Sequence, residues 1–376
     1  MRIEQRTKTK GIWQPTVGQG VANAQLVLLF GSGATLQDPE TWSELTRAYP
    51  RARLVGCSTA GQISGIHVHD EGLVATAIEL MHGHIAVSSA QLNKAVDGVA
   101  LGAQVASGLP REGLVHVLVV SEGLRVNGSA LVAGMVSALP AGVGVTGGLS
   151  GDGPRFEQTA VCLDGPSPTQ QVVAIGFYGT RLHVGFGSRG GWDPFGPERR
   201  ITKSVGNVLY ELDGEPALDL YKRYLADHAA GLPASGLLFP LTIWSATSEP
   251  IVRTILAIDE VARSLTFAGD VPVGHRARLM RANVERLVDG ASSAAKTSLE
   301  GTTLTSPDLA ILISCVGRKL VLKQRTEEEV EAVRDAFGDA TVMTGFYSYG
   351  EISPFSPSAP CELHNQTMTI TTISER

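Results

Sequence analysis

The residues best able to bind a ligand are clustered toward the carboxyl end of the sequence. Arg318 can hold a carboxylate through two parallel hydrogen bonds, and Glu351 can receive an ammonium group. His364 falls in an apolar stretch, where an imidazole is costly unless it is hydrogen-bonded or bound. Five further residues are expected to line the same pocket: Cys315, Tyr347, Tyr349, Asn365 and Gln366. Together these side chains suit a small molecule that carries charges of both signs.

A structural interpretation of the same residues stays open. If Leu363–Ile373 is one strand, His364, Gln366 and Met368 share a face, because side chains alternate along a strand. His364 would then point inward with its apolar neighbours. Instead of holding a ligand, Arg318 could pair with Glu351 and His364 could bond a backbone carbonyl. The residue types allow either arrangement.

Three loops share one pattern of glycine, small or aromatic residues, serine, glycine, and an acid or amide. They are Gly56–Gln62, Gly147–Asp152 and Gly345–Glu351. Hydroxyls and backbone N–H groups of the first two could form an anion-binding nest. They could equally satisfy a tight turn, since glycine and serine are ordinary turn residues. Four residues of these two loops are candidates for ligand binding: Cys57, Ser58, Gln62 and Asp152.

The same order of elements surrounds each loop. The apolar runs Leu26–Phe30, Leu114–Val120 and Leu309–Ser314 have the length of buried strands. A helix-like segment, a second apolar run, the loop and another candidate strand follow each of them. A unit of strand, helix, strand, loop and strand therefore occurs three times, and we expect the loops at equivalent ends of their sheets.

The helices of these units have recognisable starts. Asp38 precedes a proline at the first helical position, and Asn127 precedes an apolar stripe. The third helix begins with Thr326 and Glu329, a spacing that predicts a capping box.

The predicted fold class is α/β, with α+β layers and mixed sheets in two domains built from repeated strand-helix-strand-strand units. Residues 25–215 are expected to hold two copies of the unit. Residues 216–376 hold one clear copy and a diverged half. Long candidate strands, Gly72–Leu80, Leu182–Gly187 and Thr367–Ile373, add antiparallel pairing.

Composition narrows the classes of function. The 376 residues are 43% hydrophobic and 18% charged, and the net charge is −6. This charge balance argues against a protein that binds nucleic acid and against a basic surface that binds membranes. The charged amino terminus does not resemble a signal peptide, and no apolar run is long enough for a membrane span. We therefore expect a cytoplasmic protein. The four cysteines have no zinc-site spacing.

No motif predicts catalysis. Gly142–Gly147 matches G-x-G-x-x-G but falls in a predicted strand, whereas a dinucleotide fingerprint must open a helix. Ser58 and Ser150 lack the G-x-S-x-G spacing of a nucleophile elbow. No catalytic residue is assigned, and a hydrolase or transferase stays the alternative from another class.

Several motifs in one order resemble the FIST family, the F-box and intracellular signal transduction domain. Its amino-terminal part resembles residues 25–215 and its carboxyl-terminal part residues 216–355. The motifs are VGCSTAGQISG at Val55–Gly65, GLPASGLLFPL at Gly231–Leu241, SLTFAGDVPVG at Ser264–Gly274, SCVGR at Ser314–Arg318, GFYSYGEISP at Gly345–Pro354 and LHNQT at Leu363–Thr367. The resemblance implies a sensory module for small molecules, such as amino acids or their relatives.

The chain also resembles a bacterial branch of that family, the NosP-type proteins, and this resemblance implies a more specific function. This branch is described as binding haem and sensing nitric oxide for a partner histidine kinase. Given haem, His364 is the expected axial ligand, held noncovalently because no C-x-x-C-H motif is present. His116 and His183 lie in apolar strands and are expected to be satisfied core residues. A sensor of this kind acts through a signalling partner.

Overall fold

The structure is a computed structural model that describes residues 1–92, 97–167, 170–246, 248–300, 306–355 and 359–376. The strands up to residue 178 are β1 (Arg2–Thr9), β2 (Ile12–Gln14), β3 (Leu26–Gly31), β4 (Arg53–Ser58), β5 (Gln62–Ser64), β6 (His67–His69), β7 (Leu73–Glu79), β8 (His84–Gln91), β9 (Leu114–Ser121), β10 (Gly144–Leu149), β11 (Val161–Leu163) and β12 (Gln171–Tyr178). The next strands are β13 (Leu182–Arg189), β14 (Trp192–Val205), β15 (Val208–Leu212), β16 (Glu215–Pro216), β17 (Leu241–Ser245), β18 (Ser248–Arg253), β19 (Ile255–Asp259), β20 (Ser264–Phe267) and β21 (Arg276–Ala282). The last strands are β22 (Leu309–Cys315), β23 (Val342–Ser348), β24 (Gly350–Pro354), β25 (Cys361–His364) and β26 (Met368–Glu375).

The α-helices of the described residues alternate with these strands. They are α1 (Gly33–Gln37), α2 (Pro39–Ala48), α3 (Gly98–Ser107), α4 (Gly128–Ala138), α5 (Ala217–Leu225), α6 (Val284–Ser298), α7 (Val316–Leu322) and α8 (Thr326–Phe337). Short 3-10 segments lie at Ala226–Gly231, Ala234–Leu238 and Lys323–Arg325. Mixed sheets with helices between their strands confirm the predicted α/β class.

Three six-stranded sheets share one strand order over five of their strands. Sheet 1 runs β11-β4-β3-β7-β1-β2, sheet 2 runs β25-β24-β10-β9-β12-β8, and sheet 3 runs β13-β26-β22-β23-β5-β6. In each, the first two strands of the unit are parallel and the returning strand is antiparallel to the first. The three units predicted from the sequence therefore have the same topology.

The units exchange strands in a ring. Units 1, 2 and 3 are numbered in chain order and begin at β3, β9 and β22. After its glycine loop, unit 1 sends β5 to pair with β23 of sheet 3. Unit 3 sends β24 to β10 of sheet 2, and unit 2 sends β11 to β4 of sheet 1. Because every sheet is completed by a strand from another unit, no unit can form its full sheet alone.

The first glycine of each loop pattern is required by close packing. Gly147 of unit 2 and Gly345 of unit 3 lie beside Val119 and Leu312 on the parallel partner strand. An added Cβ would lie 1.9 Å from the carbonyl oxygen of Val119, or 1.8 Å from that of Leu312. Gly56 is the equivalent residue of unit 1. Any larger residue at these positions would push two paired strands apart.

The central core is shared among the units. One buried cluster takes alternate residues from the first strand of each unit, including Phe30, Leu118 and Ile311. The ring of Phe30 lies 4.8 Å from that of Phe346, which joins sheets 1 and 3. Each fully buried side chain of this size contributes about 1.5–3 kcal/mol to folding. The core that stabilises one unit therefore belongs to all three.

Two of the three predicted helix starts are confirmed. Asp38 accepts hydrogen bonds from the first turn of α2, and the Asn127 side chain accepts one from the first turn of α4. The predicted capping box at Thr326 is wrong. Arg325 is the N-cap of α8 and makes no side-chain cap bond. The Thr326 hydroxyl donates to the Lys323 carbonyl, and Glu329 turns inward to Arg318, so neither residue caps the helix.

Residues 192–282 form a separate sheet inserted between β13 and α6. Its order is β18-β17-β21-β14-β15-β20-β19, with β16 beside β15. We call residues 192–282 the inserted sheet. The run Ile201–Leu212 is a hairpin that turns at Gly206, where φ is 55°. The predicted domain boundary after residue 215 falls inside β16.

Among the described residues, none of the helices is long and apolar enough to cross a membrane.

Candidate ligand site

The three glycine loops meet at one junction. The N–H of Ala60 donates to the Tyr347 carbonyl at 2.8 Å, and the N–H of Tyr347 donates to the Gly61 carbonyl at 2.8 Å. The N–H of Gly151 donates to the Ser58 carbonyl at 2.9 Å. Each loop follows the second of two parallel strands, so the three loops leave their sheets at equivalent ends, which confirms that expectation.

Two of the loops are closed by an internal side-chain hydrogen bond. The Thr59 hydroxyl donates to Gln62 Oε1 at 3.1 Å, and the Ser348 hydroxyl donates to Glu351 Oε1 at 2.5 Å. The loop of unit 2 is one residue shorter. There the buried Oγ of Ser150 has no hydrogen-bond partner in the part of the chain that the structure describes. Unit 2 therefore departs from the repeat at this loop.

Asp152 is the acid of that shorter loop and organises the segment after it. Its carboxylate accepts from the N–H groups of Phe156, Glu157 and Gln158 at 3.0–3.1 Å. The Tyr349 hydroxyl also donates to it. Asp152 thus shapes a segment, residues 152–160, that forms one wall of a large opening.

That opening is a cleft of about 1420 Å³ beside the junction. Its other walls are the end of β1, the turn between β3 and α1, residues 70–72, and the face of α7 and α8 that meets them. Residues that line it with charged side chains are Lys8, Lys10, Asp38, Asp70, Glu71, Asp152, Arg155, Glu157, Lys319 and Lys323. The cleft is therefore polar and carries both signs of charge.

Lys319 stands between the cleft and the junction. Its Nζ donates to the Ala60 carbonyl at 2.7 Å and pairs with the exposed carboxylate of Asp70. Arg155 also lines the cleft, with its Nε 3.7 Å from Asp152 Oδ2. Lys323 follows α7 and is exposed. A bound anion could reach Lys319 by replacing Asp70, whose side chain is 77% exposed.

Arg318, the expected carboxylate clamp, faces away from the cleft and is completely buried. Its Nε and Nη2 donate to Glu329 Oε2 at 2.9 and 2.7 Å. Its remaining contacts are with the carbonyls of Gly190 at 3.1 Å and Leu287 at 2.7 Å. It therefore pairs with Glu329, not with Glu351, and a ligand carboxylate would have to displace Glu329.

Glu351 lies in a buried polar cluster of unit 3. It accepts from the Ser348 hydroxyl and from the N–H and hydroxyl of Thr367 at 3.2 and 3.0 Å. Burial raises the pKa of this carboxyl to about 8, although the hydrogen bonds oppose that shift. Burial also raises the pKa of the nearby Cys315 thiol. Cys315 is therefore a neutral thiol and not a nucleophile at ordinary pH.

The two tyrosines of the third loop point in different directions. The Tyr347 hydroxyl donates to Glu329 Oε1 at 2.7 Å within unit 3. The Tyr349 ring stacks on Phe156 at 4.3 Å, and its hydroxyl reaches Asp152 of unit 2. The carboxyl-terminal candidates are thus close in the fold but do not face one shared opening.

The first loop is engaged within the protein. Ser58 Oγ accepts from the Ala160 N–H at 2.8 Å, and Gln62 Nε2 donates to the Glu71 carbonyl at 2.6 Å. Cys57 is fully buried, which raises the pKa of its thiol. Of the twelve candidates predicted from the sequence, Asp152 alone is among the residues that line the cleft.

Comparison with family models gives two matches that together span most of the chain. The FIST N domain matches residues 25–215, and the FIST C domain matches residues 217–354. The chain belongs to the FIST family. FIST domains are associated with the sensing of small ligands in signal transduction. Comparison with curated proteins finds no match.

In this FIST chain, the last predicted strand is two strands. β25 ends at His364 and β26 begins at Met368, because Gln366 adopts a φ of 65° and breaks the extended backbone. The predicted single face of His364, Gln366 and Met368 is therefore wrong. Asn365 and Gln366 instead contact the inserted sheet, at Thr254 and Leu237.

The surroundings of His364 do not fit a haem iron. Its Nε2 lies 2.8 Å from the Ser353 carbonyl oxygen, so the nitrogen that would bind iron is engaged. Burial lowers the pKa of this imidazole to about 4. The residues that line the cleft include no histidine, cysteine, methionine or tyrosine. No group of three or more histidine, cysteine, aspartate or glutamate side chains that could hold a metal ion occurs among the described residues.

Two other histidines, His116 and His183, were expected in the core. His116 is buried, with Nε2 2.8 Å from Thr146 Oγ1, as expected of a satisfied core residue. Burial lowers the pKa of His116 to about 3. His183 is exposed, so its predicted place in the core is wrong. It lies on β13, at the edge of sheet 3, where one face of the strand meets solvent.

Most residues of the cleft could not be predicted from the sequence. Lys319 directly follows the motif that ends at Arg318, and the one-residue step along α7 turns it toward the cleft. Lys8 belongs to β1, which precedes the family match and carries no motif. Arg155 follows the loop of unit 2. Only the strand exchange brings these segments together.

Proposed function

We propose that this FIST protein is a sensor that binds a small polar molecule in the cleft beside the three glycine loops. The observation that carries the proposal is the position of the cleft. Its walls come from units 1, 2 and 3 at the junction where their loops hydrogen-bond to each other. A ligand there contacts all three units at once.

The charges of the cleft favour a ligand with an anionic and a cationic group. Lys319 and Arg155 can receive a carboxylate, since both have partly exposed side chains in pairs with carboxylates. Asp70 and Glu157 can receive an ammonium group. Amino acids and closely related zwitterions have this chemistry. Haem takes no part in the proposal, because neither His364 nor the cleft fits it.

Signalling through a partner protein completes the proposal. Both matched segments belong to a ligand-sensing family, and the geometry assigns neither a catalytic role. The bound state would be read by a second protein, of which a histidine kinase is one example. Loss of the ligand would then change the surface that the partner contacts.

Thermal unfolding and calorimetric titration of the whole chain with the standard L-amino acids test the ligand class. A ligand that binds only the folded chain stabilises it by about 2.7 kcal/mol at a concentration one hundred times Kd. Arg155→Met is expected to weaken that binding, because it removes a cation from the cleft. Lys296→Met is the matched control, since Lys296 is exposed on α6 and does not line the cleft.

Two results would contradict the proposal. One is the absence of binding by any amino acid, and the other is binding that Arg155→Met and Lys319→Met leave unchanged. Turnover of ester or amide substrates that is lost in Ser58→Ala would favour a hydrolase or transferase instead.

A further inference from the structure

One short helix contacts both the cleft and the inserted sheet. α7 places Lys319 at the cleft, where Nζ holds the Ala60 carbonyl at 2.7 Å. The preceding residue, Arg318, points to the other side of the same helix. Two consecutive residues of α7 therefore contact different regions: Lys319 contacts a glycine loop, and Arg318 contacts the two segments that flank the inserted sheet.

Arg318 contacts both segments of the chain that lead into and out of the inserted sheet. Gly190 lies just before β14, and Leu287 lies in the first turn of α6, just after β21. The guanidinium donates to the carbonyls of both residues, at 3.1 and 2.7 Å. Glu329 fixes its orientation through Nε and Nη2. One side chain thus fastens the two ends of the insertion together.

Those two ends pack too closely to move independently. A Cβ on Gly191 would lie 2.4 Å from the Arg286 carbonyl oxygen, and one on Gly290 would lie 2.0 Å from that of Gly190. The backbone before β14 therefore rests directly on α6. A shift of one segment must move the other, because close-packed interiors transmit strain.

A second contact joins α7 to the inserted sheet. A Cβ on Gly317 would lie 2.3 Å from Gln366 Nε2, so the helix rests on that amide. Gln366 Nε2 donates to the Leu237 carbonyl at 3.1 Å and to Thr254 Oγ1 at 3.0 Å. The Trp192 indole N–H donates to the Gln366 carbonyl at 2.9 Å. Through Gln366, α7 is therefore connected to three residues of the inserted sheet: Leu237, Thr254 and Trp192.

We propose that α7 couples the cleft to the inserted sheet, so that occupation of the cleft changes how the insertion is held. This inference rests on the proposed function, since it takes the cleft as the ligand site. A ligand carboxylate that draws Lys319 from Ala60 and Asp70 shifts α7. Arg318 then changes its contacts with Gly190 and Leu287. The inserted sheet is the part of the molecule whose surface reports the ligand.

Hydrogen exchange of the whole chain without ligand tests the coupling itself. Asp70→Asn removes the ion pair of the Lys319 ammonium, and Lys319→Met removes both its ion pair and its bond to the Ala60 carbonyl. Both are expected to speed exchange by about threefold or more at the peptides containing Gly190 and Leu287. Lys323→Met is the matched control, because Lys323 also lines the cleft but is exposed beyond α7. It should leave those peptides unchanged.

Asp70 is 77% exposed, so Asp70→Asn tests the coupling even if Lys319→Met folds poorly. Changes confined to the glycine loops and residues 70–72 would overturn the inference. Equal changes in Lys323→Met would also overturn it, since they would show a general effect of charge.

A second measurement uses L-glutamate and L-arginine as probes, each tested for binding by calorimetry. A probe that binds should alter exchange at the Gly190 and Leu287 peptides. By reciprocity, Trp192→Phe in the inserted sheet should change the affinity for that probe by about fivefold or more.

The ligand site and the coupling through α7 can be tested separately. Binding without altered exchange at the insertion removes the coupling and keeps the ligand site. Absence of binding by any amino acid removes the proposed ligand class, and the ligand-free variants still decide whether α7 couples the two regions.

Discussion

Arg318 and Glu329 form an ion pair in which neither side chain is exposed, with Nη2 2.7 Å from Oε2. The other carboxylate oxygen accepts from the hydroxyls of Ser314 at 3.0 Å and Tyr347 at 2.7 Å. Both charges are therefore neutralised and hydrogen-bonded, which is the condition for burying them. The pair joins α7 to α8 within unit 3.

Arg318→Lys should destabilise the protein. Lysine keeps the charge but cannot reach Glu329 and two carbonyls in the fixed geometry of a guanidinium. The expected loss is about 2–4 kcal/mol of unfolding free energy, measured by urea denaturation. Arg325→Lys, in an exposed pair with Glu328, should change it by about 0.5 kcal/mol or less. Unchanged stability with weaker ligand binding would support the ligand clamp predicted from the sequence.

Glu351 should make stability depend on pH. Its pKa rises from 4.5 to about 8 on folding, so the folded protein keeps a proton that the unfolded chain releases. The contribution is complete below about pH 4.5 and is lost as pH rises through about 8. Glu351→Gln should flatten that decrease, because the amide does not ionise and the Ser348 hydroxyl can turn to accept from it.

Unfolding free energies measured across this range give the comparison for Glu351→Gln. Glu331→Gln, on the exposed face of α8, should retain the wild-type slope. The prediction is wrong if Glu351→Gln has the same slope as the wild type.

Gly345→Ala should prevent β22 and β23 from pairing normally. The new Cβ would lie 1.8 Å from the Leu312 carbonyl oxygen, so a strand must move. We expect a loss of about 3 kcal/mol or more in unfolding free energy, measured by calorimetry or denaturation. Gly165→Ala is the control, since no atom lies within 4 Å of its Cβ. Equal stability of the two variants would show that the strands can separate at little cost.

Visible absorption should show no haem bound through His364. Protein purified with haem supplied is expected to lack a Soret band that depends on His364, because the Nε2 of His364 is hydrogen-bonded to the Ser353 carbonyl oxygen. The spectrum is recorded for wild type and His364→Ala, with and without nitric oxide. A Soret band that shifts with nitric oxide and disappears in His364→Ala would restore the haem sensor predicted from the family branch.

The sequence determined the repeated unit and its loops. Alternation of apolar strands with amphipathic helices is a local property, so the three units and the caps at Asp38 and Asn127 could be predicted from neighbouring residues. The loop glycines could be found for the same reason. Gly345 is needed wherever a strand must approach its partner this closely, and that need recurs at the same place in each unit.

Only the tertiary structure decided which polar residues meet. Arg318 and Glu329 are separated by a turn, and the sequence equally allowed Glu329 to cap its own helix. The exchange of β5, β11 and β24 among the sheets has no local signature, because a short strand pairs with whichever edge the ring of units presents. That exchange sets Lys319 beside Ala60 and opens the cleft. The candidate site therefore depends on contacts between residues far apart in the chain.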